Sequence, residues 1–239
     1  MKKVLAMLLA VLMIVTATVA GTVAWLQAKT DNVTNTFTVG NINIDLKEHK
    51  LDAENNTLLE DTANEVTSED KYKILPGDTQ PKDPFVTIEK GSENCYVFVQ
   101  IKEVNNYDPK YINWEIADGW TLLETTNANT DNTIYTYYRT ENYDGPNEAV
   151  YYVLDCPENT SYTNGGVEYP NSLVKADLDA LYKTQTNDSG TPDDTSDDFQ
   201  ETVVDSTKQP KLIFKAFAVQ EDEVDSEIAA WALVEGKLT

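Results

Sequence analysis

The chain has 239 residues, of which 41 are Asp or Glu and 18 are Lys or Arg, giving a formal net charge of −23. Such an acidic surface repels nucleic acid and anionic lipid, which excludes both as expected partners and leaves cations as better ones. Because 10% of the residues are aromatic and 41% are hydrophobic, the chain can bury a core, and wholly disordered classes of protein are excluded.

The first segment is typical of an export signal. Two lysines precede the apolar run 4–15, which is shorter than the ~20 residues that span a bilayer. Small residues follow and allow cleavage after Ala20 or after Ala24. We predict residues 1–24 as a signal peptide that a signal peptidase removes before Trp25, with an uncleaved membrane anchor as the alternative. The protein is then expected to be secreted, in the extracellular matrix or at the cell surface, and to contact a membrane only through an uncleaved signal peptide.

Residues 25–46 form a polar, β-prone segment, in which we predict a strand over Thr36–Leu46. An extended segment at a newly made terminus has its backbone N–H and C=O groups available, and an open sheet edge offers partners for them. The alternation of apolar residues changes parity at Gly40, where a bulge or bend would bring both sets to one core. The same strand could instead pair within its own molecule. The side chains expected to anchor a donated strand are Val33, Phe37, Val39, Ile42, Ile44 and Leu46.

Residues 47–239 are predicted to form one β-sandwich domain, because β-branched and aromatic residues alternate between turn clusters. In the stretch CYVFVQIKEV one face is strongly apolar, as in a sandwich layer. Two short segments, Ser172–Thr184 and Asp225–Val234, have helical spacing. Many short strands with few helices predict an all-β fold, an antiparallel jelly-roll-like β-sandwich with short helical insertions. The predicted strands are Phe85–Glu89, Cys95–Val104, Ile112–Ile116, Thr121–Glu124, Thr133–Thr140, Ala149–Leu154 and Leu212–Gln220.

The sequence contains two cysteines, Cys95 and Cys156. In an exported protein such a pair can form a disulfide. Both lie in strand-like sequence, so pairing requires their two strands to be close. The alternative is two small buried thiols. The disulfide and the pair of free thiols both stay open as predictions.

An acidic segment, NDSGTPDDTSDD at 187–198, is predicted to be a solvated surface loop. Its carboxylates would also suit Ca²⁺, which prefers several oxygen ligands, but the spacing lacks the glycine and the distal glutamate of an EF-hand loop. We therefore expect no cofactor, with Ca²⁺ as the alternative, and the residues that would bind a metal stay unknown.

The sequence provides no recognisable catalytic constellation. The single histidine, His49, excludes a zinc site of the HExxH type, which needs two histidines one helical turn apart. A Ser-His-Asp or Cys-His triad would have to use His49, which lies in a charged segment and is interpreted as a surface residue. Acidic pairs are too abundant in this chain to indicate a glycosidase. We expect a protein without enzymatic activity.

The segment after the predicted signal peptide resembles the start of the TasA/camelysin family of secreted biofilm-matrix proteins. That family's precursors show a small-residue turn, Ala, an aromatic, a polar stretch, N-x-F-x-x-G and an alternating strand. In WLQAKTDNVTNTFTVGNINIDL and the alanine before it, these positions are taken by Ala24-Trp25, the run 35–40 and Ile42–Leu46. The stretches ILPGDTQPKDPFVTIEKGSENCYVFVQI and KLIFKAFAVQ are also similar to exported relatives. The acidic insertion and the two cysteines depart from the family's best-known members.

The resemblance implies a jelly-roll domain, processing by a SipW-type signal peptidase, and fibres in which the N-terminal strand of one subunit completes the sheet of the next. Because such a contact is head-to-tail, it propagates into an open filament. We therefore predict a structural protein that assembles with itself into extracellular biofilm-matrix fibres by strand donation. Two alternatives stay open: a cell-surface metallopeptidase of the camelysin type, and a monomeric surface adhesin that binds a ligand through the sandwich loops. Self-association of so acidic a chain is expected to respond to pH and salt.

Overall fold

Short strands rich in Val, Ile, Tyr and Phe make up most of the fold, as expected for side chains that favour pleated, half-buried surfaces. The computed structural model describes residues 41–52, 57–59, 61–67, 74–140, 142–155, 166–188, 190 and 195–239, all within one unit, Gly40–Thr239. The elements are β1 (Ile44–His49), β2 (Leu51–Asp52), β3 (Thr57–Leu58), a 3-10 turn (Thr62–Asn64), β4 (Glu65–Val66), β5 (Thr79–Gln80), β6 (Phe85–Ile88), β7 (Cys95–Val104), β8 (Asn113–Trp114), β9 (Trp120–Thr126), β10 (Ile134–Arg139), β11 (Ala149–Tyr152), β12 (Val167–Glu168), α1 (Lys175–Asp179), β13 (Tyr182–Asn187), β14 (Phe199–Val204), β15 (Lys211–Gln220) and α2 (Glu227–Leu233).

Two four-stranded antiparallel sheets pack against each other. The strand order is β11-β6-β1-β4 in one sheet and β15-β7-β10-β9 in the other. On one side of the stack, the indole Nε1–H of Trp120 on β9 donates to the carbonyl of Tyr152 on β11 at 2.8 Å. On the other side, β1 approaches β15. The predicted all-β, antiparallel sandwich is confirmed, whereas the jelly-roll connectivity stays a prediction.

The inner core lies between β6 and β7. Val97, Val99 and Ile101 alternate along β7 and are fully buried, together with Val86 and Ile88 of β6. This is the apolar face that the alternation in the β7 sequence predicts. The strand itself spans the predicted residues Cys95–Val104.

The opposite face of β7 is also buried, which the sequence alone does not indicate. Phe98 is fully buried there, with its ring centroid 5.2 Å from that of Trp231, and Phe217 of β15 lies 5.5 Å from the same indole. Trp231 belongs to α2, which Ser226 caps by accepting a hydrogen bond from the N–H of Ala229 at 3.2 Å. The C-terminal helix therefore provides a second apolar layer outside the sandwich.

The segment that follows α2 also lies over the outer face of the sheet, and it forms a hydrogen bond with the buried side chain of Gln100. The N–H of Leu238 donates to Gln100 Oε1 at 2.7 Å, and Gln100 Nε2 donates to Thr136 Oγ1 at 3.2 Å. Lys215 Nζ donates to the carbonyl of Gly236. Gln100 is consequently satisfied at both ends of its amide, as a buried amide must be.

One predicted helix is wrong in its second half. Within Ser172–Thr184 only α1 is helical, and Tyr182 already begins β13. Asp177 accepts a hydrogen bond from the N–H of Val174 at 2.9 Å and so starts the helix. The threonines and the tyrosine that follow favour a strand, and they pair with β14 along the whole of β13. The other predicted helix forms as α2.

β13 and β14 form a two-stranded ribbon that carries the acidic segment 187–198 at its tip. Tyr182 pairs with Val204 at the base, and Asn187 pairs with Phe199 at the tip. Side chains on both faces of the ribbon are largely exposed. The described residues of the acidic segment are also largely exposed, while residues 189 and 191–194 lie outside the described part of the chain.

A third, three-stranded sheet, β5-β12-β8, lies beside the sandwich. The sheet depends on close contact between the backbones of Gly166 and Gln80. The φ of Gly166 is +108°, and a Cβ at this position would lie 2.3 Å from the carbonyl oxygen of Gln80. Only glycine tolerates both the backbone conformation and the contact. The approach fixes the loop that runs into β6.

Candidate functional site

The outer edge of β15 is a candidate site because its backbone groups have no partner among the residues that the structure describes. β15 pairs with β7 along all of its 10 residues and ends its sheet. The N–H of Glu221 donates to the carbonyl of Asn94 at 2.9 Å, which fixes the alternation of bonds in the antiparallel pair. Even-numbered residues of β15 therefore direct their N–H and C=O groups away from β7. Within the described ranges none of these outward groups has a hydrogen-bond partner. They belong to Leu212, Phe214, Ala216, Ala218 and Gln220.

Among the described residues, β1 has a similar unpaired edge over its first half. The N–H of Glu89 donates to the carbonyl of Asn43 at 2.9 Å, so the backbone groups of Ile44 and Leu46 point away from β6. β4 covers this side of β1 only at Glu48 and His49. No other described strand pairs with it.

The two open edges lie on the same side of the sandwich, where β1 approaches β15. We call the row of side chains between them the seam. Each seam residue is half-buried and packs against the inner core. Such a row offers both the backbone groups and the apolar surface that an added strand needs. The seam consists of Ile42, Ile44 and Leu46 from β1 and its approach, and Leu212, Phe214, Ala216 and Ala218 from β15.

The chain enters β1 from a defined end of the molecule. The carbonyl of Asn41 accepts a hydrogen bond from the N–H of Glu93 at 3.0 Å, and the N–H of Asn43 donates to Ser92 Oγ at 3.1 Å. The same turn, between β6 and β7, also holds the end of β15 through Asn94. Asn41, the first described residue, therefore lies at the end of the sandwich where β15 finishes.

The predicted anchors of the donated strand divide into two groups. The structure places Ile42, Ile44 and Leu46 against the inner core of their own chain, with Ile44 and Leu46 in β1. The cleavage residues Ala24 and Trp25 and the other three anchors lie outside the described residues. Those three are Val33, Phe37 and Val39.

His49 is buried, so its interpretation as a surface residue is wrong. Its Nδ1 lies 2.7 Å from Asp83 Oδ2, and its N–H donates to Asp83 Oδ1 at 3.0 Å. Beside this pair, Lys82 Nζ donates to Glu48 Oε2, and all four side chains are buried. Burial raises the pKa of the Asp83 carboxyl, while its hydrogen bonds with His49 lower it.

The buried cluster of Glu48, His49, Lys82 and Asp83 joins the end of β1 to the loop that precedes β6. Two adjacent residues of β1 pair with two adjacent residues of that loop, so each of the four buried polar side chains has a partner. The sequence signal for this was Lys82-Asp83 between Pro81 and Pro84, a rigid polar pair directly before a buried strand. The cluster ties the C-terminal end of β1 to the loop that precedes β6.

Cys95 is fully buried as a free thiol at the start of β7. Cys156 lies outside the described residues, so the disulfide between them stays a prediction. Burial raises the pKa of the Cys95 thiol to about 11, and the Glu221 carboxylate acts in the same direction.

This raised pKa predicts an alkaline loss of stability. Because the thiol of the unfolded chain ionises near its ordinary pKa of 9.0, the native state gains stability from Cys95 fully below that pH. The gain is lost as the pH rises from 9 towards 11. Under reducing conditions we expect the free energy of unfolding to fall by up to roughly 2–3 kcal/mol more in the unmodified chain than in Cys95→Ala over this range. Urea titrations at each pH measure it, and equal pH dependence of the two proteins would contradict it.

The part of the chain that the structure describes has no group of three or more His, Cys, Asp or Glu side chains placed to hold a metal ion. Within the same residues, each helix is too short or too polar to cross a membrane. Comparisons with protein-family models, with curated proteins and with solved structures found no match to this chain.

Proposed function

We propose that this protein is a secreted structural protein that assembles with itself into extracellular biofilm-matrix fibres. In this assembly the N-terminal segment of one copy adds as a strand to the seam of the next. The observation that carries the proposal is the seam itself, a row of half-buried apolar side chains between two strand edges that are unpaired among the described residues. A long open edge of this kind is a template for pairing with another chain.

The proposed donor is the part of residues 25–46 that precedes β1. Val33, Phe37 and Val39 share one parity, so in an extended strand their side chains lie on one face and can enter the seam together. Residues 25–40 would extend over about 50 Å at ~3.4 Å per residue, and β15 spans about 34 Å. The segment is therefore long enough to cover the whole edge of β15 and still bridge to its own domain.

The position of Asn41 favours donation to another copy over pairing within the molecule. The chain at Asn41 and Asn43 is held at the end of the sandwich by the turn between β6 and β7. To reach its own β15, the segment would have to reverse direction at Gly40. Continuing outward it meets a second molecule without any reversal.

The resemblance to the TasA/camelysin family supports the same proposal, including the jelly-roll order of strands and removal of the signal peptide by a SipW-type peptidase. A strand donated from one end of a subunit to a seam on the next makes a heterologous contact, which propagates into an open filament. Cleavage would then release the donor strand from the membrane as well as export the protein.

The proposal is tested by removing residues 25–40 while keeping the signal peptide. We expect the secreted chain to stay folded, because the described core lies within Gly40–Thr239, and to form no filaments in negative-stain electron microscopy. A finer test replaces Phe37 and Val39 by serine, with serine at Thr36 and Thr38 as the matched control of opposite parity. Loss of filaments only in the first pair is expected. Filaments from the truncated chain would refute strand donation.

A further inference from the structure

Lysines that form no ion pair with a described Asp or Glu side chain lie together where β15 begins. Across the described ranges, ion pairs with Asp or Glu involve Lys47, Lys82, Lys110, Lys175 and Lys183. Three of the remaining lysines lie on one face of the β7–β15 pair, and we call them the lysine patch. Two of these donate to main-chain oxygens, at Thr239 and Gly236. The patch consists of Lys102, Lys211 and Lys215.

β-Sheet register brings the patch into one surface. Lys102 lies on β7 opposite Ile213, between the β15 positions of Lys211 and Lys215. Ile213 is 40% exposed, so an apolar side chain stands among the ammonium groups. In a chain of charge −23, such a patch attracts an acidic surface.

The opposite end of β15 is acidic. Glu221, Asp222, Glu223 and Asp225 follow the strand directly, and Glu89 and Glu93 flank the turn that holds Asn41. Within the described part of the chain none of these carboxylates forms an ion pair. We call this set the acidic end. It is the end from which the N-terminal segment leaves the domain.

We propose, on the basis of the fibre function above, that the acidic end of the donating copy docks on the lysine patch of the accepting copy. This docking fixes the direction of the donated strand. An antiparallel strand on β15 places its C-terminal end, and so the donor's acidic end, beside Lys211. A parallel strand would place the donor's acidic end beside the acceptor's own acidic end.

Electrostatic interactions between the two ends favour the antiparallel direction over the parallel one. Juxtaposed like charges at an interface cost several kcal/mol, whereas complementary ones favour the encounter. Exposed charges separated by more than ~8 Å are screened at physiological salt, so only ends in direct contact affect the choice. The donated strand is therefore antiparallel to β15.

Two lysine substitutions with the same effect on net charge test this docking in the full chain. Lys211→Glu puts a carboxylate into the patch, and we expect the concentration needed for filaments to rise about tenfold. Lys90→Glu adds a carboxylate to the acidic end, between Glu89 and Glu93, and is expected to leave that concentration unchanged or lower it. Sedimentation of filaments across a protein dilution series measures both.

A charge exchange separates docking from general repulsion. Asp222→Lys combined with Lys211→Glu is expected to restore assembly that Lys211→Glu alone weakens. Equal weakening by Lys211→Glu and Lys90→Glu, or no rescue by the exchange, would overturn the docking and leave strand donation standing. An unmodified chain that forms no filaments at any concentration would overturn both proposals.

Discussion

A chain carrying Ala216→Pro is expected to fold and to fail to form filaments. The N–H of Ala216 points to the outer edge of β15, where it has no partner among the described residues. Proline at such an edge position removes an unused donor and leaves the ladder with β7 in place. The ring also removes one hydrogen bond from any added strand and obstructs its approach. Negative-stain microscopy should show no filaments, and thermal unfolding should still be cooperative.

The adjacent position provides the matched control. The N–H of Lys215 points to β7, opposite Gln100, so Lys215→Pro removes a bond of the ladder inside the sheet and leaves a buried carbonyl unpaired. That loss costs roughly 1–3 kcal/mol and lowers the unfolding temperature well below that of Ala216→Pro. Filaments of normal abundance from Ala216→Pro would show that the outer edge of β15 does not receive the strand.

Phe98→Ala is expected to destabilise the fold by about 3–5 kcal/mol, the range for truncating a buried aromatic side chain. Phe98 is fully buried and contacts the Trp231 indole, so its removal opens a cavity between β7 and α2. Urea unfolding followed by tryptophan fluorescence measures the change. Phe199→Ala is the control, because Phe199 is 50% exposed at the ribbon tip and its loss should change the free energy by less than ~0.5 kcal/mol.

Together, the results for Ala216→Pro and Phe98→Ala would show which parts of the sheet of β7 and β15 a partner can reach. If Phe98 contributes as expected, the sheet of β7 and β15 is covered on both faces, and the places left for an added strand are the outer edges of its two terminal strands, β15 and β9. A small effect of Phe98→Ala would instead mean that α2 rests loosely on the sheet. The outer face of the sheet would then also be available to a partner.

The strands of the sandwich could be predicted where the sequence has a strong local signal. Cys95–Val104 appears with its predicted bounds because Val97, Val99 and Ile101 alternate along it and turn residues flank it. The burial of its second face could not be predicted, because it depends on Trp231, more than a hundred residues away in sequence. The helical spacing of Leu173, Leu178 and Leu181 predicts a helix that includes Tyr182, although pairing with β14 places Tyr182 in a strand.

The candidate site was predictable only in part. The sequence of residues 25–46 indicates a strand suited to donation, but it does not say which strand would receive it. The seam depends on strand order, a tertiary property, because no other described strand pairs with the outer edge of β15 or with the first half of β1 on that side. The burial of His49 could not be predicted for the same reason, because its partner Asp83 comes next to it only when β1 pairs with β6.

The tip of the β13–β14 ribbon is a place where the chain can change in length and sequence. Asn187 and Phe199 face each other across its tip, so the chain between them begins and ends at neighbouring points. In the proposed fibre, insertions and deletions there would alter the exposed surface of each subunit without altering the strands that build the contact. The length and charge of the acidic tip can therefore change while the sandwich and its seam keep their structure.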